Sequence, residues 1–219
     1  MQHVLSSRLA PRYQTVLFDL DGVLADTRDW VVSAFYEIAE RHSLDINDDI
    51  LNHIFGRSIE ECYELIAAGH DTAFLIEAHR EFQREHMELI RPFSGTIEVL
   101  DHFSGTGIKM GIVTGRRHVS AQDTLDRLGL ASYFNVLIGG DDTERQKPNP
   151  DPALRALSEL GASAASALMV GDARSDILCG RHAGCDTCAA LYGFVGPHLM
   201  SEDPTHSITS IEGLLAIVS

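Results

Sequence analysis

Five short apolar runs punctuate the chain: Thr15–Leu20 (TVLFDL), Ile108–Thr114 (IKMGIVT), Asn135–Ile138, Ala167–Val170 and Thr187–Leu191. They are too short for helices and too uniformly apolar for half-exposed strands, which predicts strands buried on both faces. Between and after them, apolar residues recur at helical spacing over Ile97–Phe103, Val119–Leu128, Pro152–Leu160, Ser175–Ala183 and Ile211–Val218. Gly129, Gly161 and Gly184 each follow one of these runs, where a left-handed helix cap favours glycine. Alternating strands and helices predict an α/β fold, a doubly wound and mainly parallel sheet.

One segment breaks the alternation. From Thr27 to Arg91 the pattern is helical and contains no convincing strand. Trp30, Phe35, Ile38 and Ala39 mark one helix, Ile59, Cys62, Tyr63 and Ile66 a second, and Phe74–Leu89 a long third. About 65 residues between a first and a second strand is too much for an ordinary crossover, so a helical subdomain is expected. The division this predicts is a core of residues 1–24 and 92–219 with residues 25–91 inserted. Within the insert, Gly56-Arg57-Ser58 reads as a turn between helices. His79 and His86 share a face of the third helix and are expected to be solvated rather than metal-binding.

Composition narrows the partners. The 219 residues are 44% hydrophobic and 22% charged, an ordinary globular balance. No stretch approaches the roughly 18 consecutive apolar residues of a membrane span. The opening MQHVLSSRLAPRYQ lacks the apolar core of a signal peptide and reads as a short leader to the first strand, so a cytoplasmic protein is expected. A net charge of -15 has the wrong sign for binding nucleic acid or an anionic membrane. Lys109 and Lys147 are the two lysines among 17 basic residues, and the insert carries fifteen acids against six bases. A small anion remains an acceptable ligand, because a metal ion and a few cations can reverse the potential inside one pocket. Cys179, His182, Cys185 and Cys188 fall at every third position but have no second ligand cluster, so buried packing is expected of them rather than zinc.

Polar residues gather at the carboxyl ends of the buried runs, where open α/β sheets build their sites. The first run ends in Asp19-Leu20-Asp21-Gly22, two carboxylates at i and i+2 followed by a residue free to turn sharply. Like charges so close are costly unless a cation or a proton intervenes. The second run ends in Val113-Thr114-Gly115-Arg116, a hydroxyl and backbone N–H groups at a helix entrance. Lys147 lies in the loop Arg145-Gln146-Lys147-Pro148-Asn149-Pro150, and the fourth run ends in Gly171-Asp172-Ala173-Arg174-Ser175-Asp176. Taken singly, an Asp can be a helix cap, a Thr a turn hydroxyl and a Lys a solvated charge. Val23 stands where a calcium loop needs its next oxygen, and neither a dinucleotide fingerprint nor a P-loop occurs. Four strand ends that each offer a group needed for phosphoryl transfer argue for one shared site.

These residues resemble the four motifs of the haloacid dehalogenase-like hydrolases: FDLDG at Phe18–Gly22, VTG at Val113–Gly115, Lys147 before Pro148, and GDARSD at Gly171–Asp176. Their order matches, and the insert resembles the small helical cap of that superfamily. The resemblance runs from residue 14 to residue 218, and its QKPNPDP and GRHAG…ALYG stretches are most similar to phosphoglycolate phosphatase-like members. It implies a Rossmann-like core and an Mg²⁺-dependent phosphatase acting on a small phosphate monoester, phosphoglycolate-like or a sugar phosphate. Asp19 would be the nucleophile and form an aspartyl-phosphate; Asp21 would be general acid, then base. Asp19, Asp172 and the Asp21 backbone carbonyl would hold the metal. Thr114, Gly115 and Lys147 would bind phosphate, Asp176 would orient Lys147 or a metal-bound water, and Gly22 would leave room for the phosphate.

Departures within the resemblance choose among branches. The acid at Asp21 favours phosphate chemistry over dehalogenation, and an insert without lysine excludes the Schiff-base phosphonate hydrolases. β-Phosphoglucomutases share Asp19 and Asp21, but their usual cap histidine and lysine are missing; Trp30 and Val31 occupy the histidine's neighbourhood. A pyrophosphatase is a further alternative, and a phosphoacceptor signalling domain or a non-catalytic binding protein a distant one. Arg57 and Arg116 are expected to contact the substrate's second anionic group, with a small phosphorylated metabolite as the partner and either a monomer or a homodimer as the assembly.

Overall fold

The computed structural model describes residues 12–54 and 57–218. The leader, up to residue 11, and Gly56 of the predicted turn lie outside the described residues. Among these residues no helix is long and apolar enough to cross a membrane.

The buried runs become β1 (Thr15–Phe18), β4 (Lys109–Val113), β5 (Val136–Ile138), β6 (Ala167–Gly171) and β7 (Asp186–Ala190). A sixth strand, β8 (His206–Ile208), completes one sheet in the order β5-β4-β1-β6-β7-β8, with every pair parallel. Alternate residues of each strand serve opposite faces. Val16, Phe18, Met110, Ile112, Leu168 and Val170 enter one apolar layer, whereas Leu17, Val113, Ala167 and Met169 enter the other. Helices α5 (Thr96–Thr106), α6 (His118–Arg127), α7 (Asp151–Leu160) and α8 (Arg174–Ala183) connect the strands, and α9 (Leu214–Val218) ends the described chain. Gly129, Gly161 and Gly184 have φ of 70°, 57° and 85°, the left-handed caps their positions predicted. From β1 the chain winds outward to β5 and then crosses back to β6 on the other side, so the strand order reverses beside β1. Clefts at such a reversal hold ligands.

The segment between β1 and β4 is helical, as expected: α1 (Arg28–His42), α2 (Asp48–Ile54), α3 (Ile59–Ile66) and α4 (Thr72–Glu85). A two-residue antiparallel pair, β2 (Ala25–Asp26) with β3 (Arg91–Pro92), closes its base. The helices share a cluster of their own around Phe35, Ile38, Leu51, Ile54, Tyr63 and Leu75. Trp30, one turn into α1, belongs instead to the sheet's core cluster and so bridges the two. The long third run predicted to reach Leu89 stops at Glu85, and His86 leaves the helix to stack on Phe82 with ring centroids 3.9 Å apart.

His79 corrects an expectation: it is 1% exposed rather than solvated, with Nδ1 3.0 Å from the Tyr63 hydroxyl and its ring 4.6 Å from that of Phe35. Burial, reinforced by Arg80, lowers its pKa to about 3. The unfolded chain takes up this proton near pH 6.5 and the folded chain does not, so stability is full above that pH and is lost on acidification toward pH 3. Between pH 7.5 and pH 5 this linkage removes about 2 kcal/mol. In denaturant melts at those two values, His79→Gln should shift the difference between them by about that amount; a difference left unchanged by the substitution would contradict the burial argument.

Candidate active site

Adjacent strands deliver the predicted residues to one end of the sheet. β1 ends at Phe18, and Asp19 extends its ladder by donating its N–H to the Val170 carbonyl at 2.9 Å. Thr114 follows β4, Asp172 follows β6, and the turn of Tyr192 and Gly193 follows β7. Lys147 comes in on the loop between β5 and α7. The sheet thereby brings together carboxylates that are far apart in sequence.

Lys147 ties this group together. Its ammonium donates to Asp176 Oδ1 at 2.6 Å and to the Val113 carbonyl at 3.0 Å, and pairs with Asp19 Oδ1 at 3.1 Å. Burial alone would favour its neutral form, but Asp176 and Asp19 raise its pKa, so the lysine is charged. Asp176 opens α8; its Oδ2 accepts the Ala173 N–H at 3.0 Å, and burial, opposed by Lys147, raises its pKa to about 6. The Leu20 N–H donates to Asp19 Oδ1 at 2.8 Å. With Oδ1 held from two sides, the Asp19 carboxylate has one orientation, and no hydrogen bond among the described residues engages its Oδ2.

Asp172 is 2% exposed, and among the described residues no ion pair involves it. Its Oδ2 accepts the Phe194 N–H at 2.6 Å, while burial, Asp176 and Asp19 push its pKa well above the usual carboxylate range. One oxygen from each of Asp19, Asp172 and Asp176 falls within 4.8 Å of the others, a set able to hold a metal ion among the described residues. All the donors are hard oxygens, the choice of Mg²⁺ rather than of a thiolate-seeking metal. Four carboxylates (Asp19, Asp21, Asp172, Asp176) face two cationic side chains (Lys147, Arg116) in this group, so a divalent cation would balance it.

Two glycines explain the closeness of the loops. Gly22 has φ +73°, and a Cβ there would lie 2.1 Å from Asp172 Oδ2. The Asp172 carboxylate thus gives glycine a second reason at this position, beside the room expected for a phosphate. A Cβ at Gly193 would lie 2.4 Å from the same oxygen and 2.6 Å from the Gly22 carbonyl.

Thr114 is 3% exposed, its hydroxyl accepts the Arg116 N–H at 3.2 Å, and Gly115 beside it is exposed. Arg116 lies against Asp21, with Nε 3.1 Å from Oδ2. Asp21 Oδ1 is buried, and the Thr27 side chain, a hydrogen-bonding neighbour of the carboxylate, favours its ionised form. Burial raises the pKa of Asp21, Arg116 opposes that, and Asp19 adds to it. Arg57 is exposed on the turn before α3, its N–H donating to the Ile54 carbonyl at 3.2 Å. Sequence reasoning missed the Val113 carbonyl, Gly193, the Phe194 N–H and Trp30. Gly193 and Phe194 follow a predicted strand, a placement that could have singled them out, but a backbone donor leaves no mark in a sequence.

The cysteine group takes its bland role. Cys179, Cys185 and Cys188 are buried free thiols, and burial raises their pKa values to about 11, 12 and 12. His182 Nδ1 lies 3.1 Å from the Pro148 carbonyl.

The sequence profile of the haloacid dehalogenase-like hydrolases matches residues 16–190. The chain is 31% identical to the pyrophosphatase PpaX of Halalkalibacterium halodurans over 208 residues, 93% of this chain and 96% of that one. It is 32% identical to the pyrophosphatase PpaX of Bacillus cereus over 212 residues, 95% of this chain and 97% of the relative. Among solved structures, a haloacid dehalogenase-like hydrolase family protein from Streptococcus pneumoniae superposes with a TM-score of 0.85 at 20% identity, covering 94% of this chain and 98% of its own. A β-phosphoglucomutase from Clostridium difficile superposes with a TM-score of 0.79 at 19% identity, covering 92% and 93%. The chain belongs to the haloacid dehalogenase-like hydrolases.

Proposed function

We propose that this hydrolase is an Mg²⁺-dependent phosphatase that cleaves a small phosphate monoester through an aspartyl-phosphate on Asp19. The observation that carries the reading is the buried convergence of Lys147, Asp19 and Asp176 beside Asp172. Asp19 attacks phosphorus while the bond to the leaving oxygen breaks, and Asp21 gives that oxygen a proton. Burial suits Asp21 to this, because it favours the carboxyl that carries a proton. Asp21, now a carboxylate, next takes a proton from the water that attacks the phosphorus of the aspartyl-phosphate, and inorganic phosphate leaves. Lys147, the Thr114 hydroxyl and the Gly115 N–H hold the phosphate oxygens, and Asp176 keeps Lys147 in place. Asp19, Asp172 and the Asp21 backbone carbonyl would hold Mg²⁺, whose charge when bound offsets that of the phosphate oxygens.

Residues 25–91 act in this reading as a cap that selects the substrate, with Arg57 as a contact for its second anionic group. A second reading, pyrophosphate as substrate, is favoured by the names of the relatives that share 31% and 32% of their residues with this chain. The test is phosphate release from 2-phosphoglycolate, a set of sugar phosphates and pyrophosphate, each with Mg²⁺ and with EDTA. Release is expected with Mg²⁺ and should fall at least about a hundredfold with EDTA. The rank order then separates monoester from pyrophosphate. Pure, folded protein that transfers phosphate between hexose phosphates without releasing it would instead be a mutase.

A further inference from the structure

Arg116 contacts three parts of the molecule at once. Its Nε pairs with Asp21 Oδ2 at 3.1 Å, its Nη1 donates to Thr124 Oγ1 on α6 at 2.5 Å, and its guanidinium carbon lies 4.1 Å from the centre of the Trp30 ring. The side chain is 10% exposed, and among the described residues Nη2 has no hydrogen-bond partner. Trp30 is 3% exposed, and its Nε1 donates to the Gln83 carbonyl at 2.8 Å, tying the first turn of α1 to the end of α4. One guanidinium therefore joins the candidate acid, a core helix and the helical insert.

Burying a guanidinium whose Nη2 lacks a partner is costly. The planar fork explains the choice of residue. One edge grips a carboxylate while the face stacks on an indole, and a lysine ammonium cannot do both. With Nε paired to Asp21 and Nη1 to Thr124, Nη2 is the group left for the substrate contact expected of Arg116.

We propose that Arg116 is a positioning residue that couples the seating of the insert, through Trp30, to the placement of the Asp21 carboxylate. The inference rests on the phosphatase reading above. When Trp30 is seated under the guanidinium, Asp21 is held where the leaving oxygen departs; when the insert moves away, the arginine loses its platform and Asp21 its orientation.

The test uses the leaving group. An alkoxide needs a proton from Asp21 to depart, whereas p-nitrophenolate leaves almost without one. In Arg116→Met, kcat/KM for the best alkyl phosphate of the panel should fall about 30-fold or more while that for p-nitrophenyl phosphate falls less than about threefold. Trp30→Leu should show the same selective loss, and it carries the test if Arg116→Met does not fold. Trp30 is the single tryptophan of the chain, so its fluorescence in Arg116→Met should become more accessible to acrylamide. Equal losses on both substrates would mean a general packing role, and a raised KM with kcat intact would mean a substrate contact; either overturns the proposal. If the wild-type chain released phosphate from neither compound, the phosphatase reading would fail instead. Unchanged quenching of Trp30 in Arg116→Met would then still overturn the coupling.

Discussion

Asp19→Asn should reduce phosphate release at least about a thousandfold, a loss of roughly 4 kcal/mol of transition-state stabilisation. The amide is the same size, so Oδ1 can still accept from the Leu20 N–H and from Lys147, which hold it at 2.8 and 3.1 Å. What disappears is the negative charge: a neutral amide is a poor nucleophile toward phosphorus and a poorer metal ligand. The melting temperature should therefore stay close to that of the wild type while turnover vanishes. Phosphate release and a thermal melt of the same preparation check both halves. An Asn variant that retained a tenth of the activity would remove Asp19 from the chemistry.

Lys147→Met should damage both stability and activity. The ammonium is 6% exposed and separates two carboxylates, Asp19 and Asp176, which would otherwise share a buried space without a counter-charge. Breaking such a buried pair costs about 3–5 kcal/mol, which lowers the melting temperature by on the order of 10 °C in a chain of this size. Turnover should fall at least about a hundredfold, because a donor to both nucleophile and phosphate is gone. The deficit should depend on pH. Burial already raises the pKa of Asp176 to about 6 with Lys147 opposing it, so removal of the lysine raises it further. A carboxyl whose folded pKa lies above its unfolded value favours folding at low pH and loses that advantage as pH rises through the folded value. The deficit relative to the wild type should thus shrink at pH 5 and be largest above pH 7, as melts of both proteins at the two values would record. A variant as stable as the wild type at pH 7.5 would contradict the role given to Lys147.

The strands were legible because burial on both faces writes itself as an apolar run. Thr15–Phe18 and Lys109–Val113 lie within one or two residues of their predicted ends. Strand β8 was not legible: His206-Ser207-Ile208 is a polar edge segment, and only its pairing with Cys188–Ala190 makes it a strand. The helix Asp48–Ile54 was too short for its periodicity to stand out, and the predicted helix from Ile211 starts as a 3₁₀ turn, Ile211–Gly213, before Leu214. In the site, side chains at strand ends could be read because topology alone brings them together. Partnerships could not. The pairing of Asp176 with Lys147 was implied by the family resemblance alone, whereas Arg116 on Trp30 depends on how the insert seats, and His79 looked solvated because its burial depends on Tyr63 and Phe35 from other helices.

The account stands or falls on a covalent phosphate at Asp19. Turnover of the best substrate with Mg²⁺, quenched in acid and digested for mass spectrometry, measures it directly. The predicted result is a peptide spanning Asp19 that carries one phosphate, missing from the Asp19→Asn protein. An active enzyme whose trapped phosphate sits on another residue, or which releases phosphate at full rate with no phosphate ever on that peptide, would contradict it.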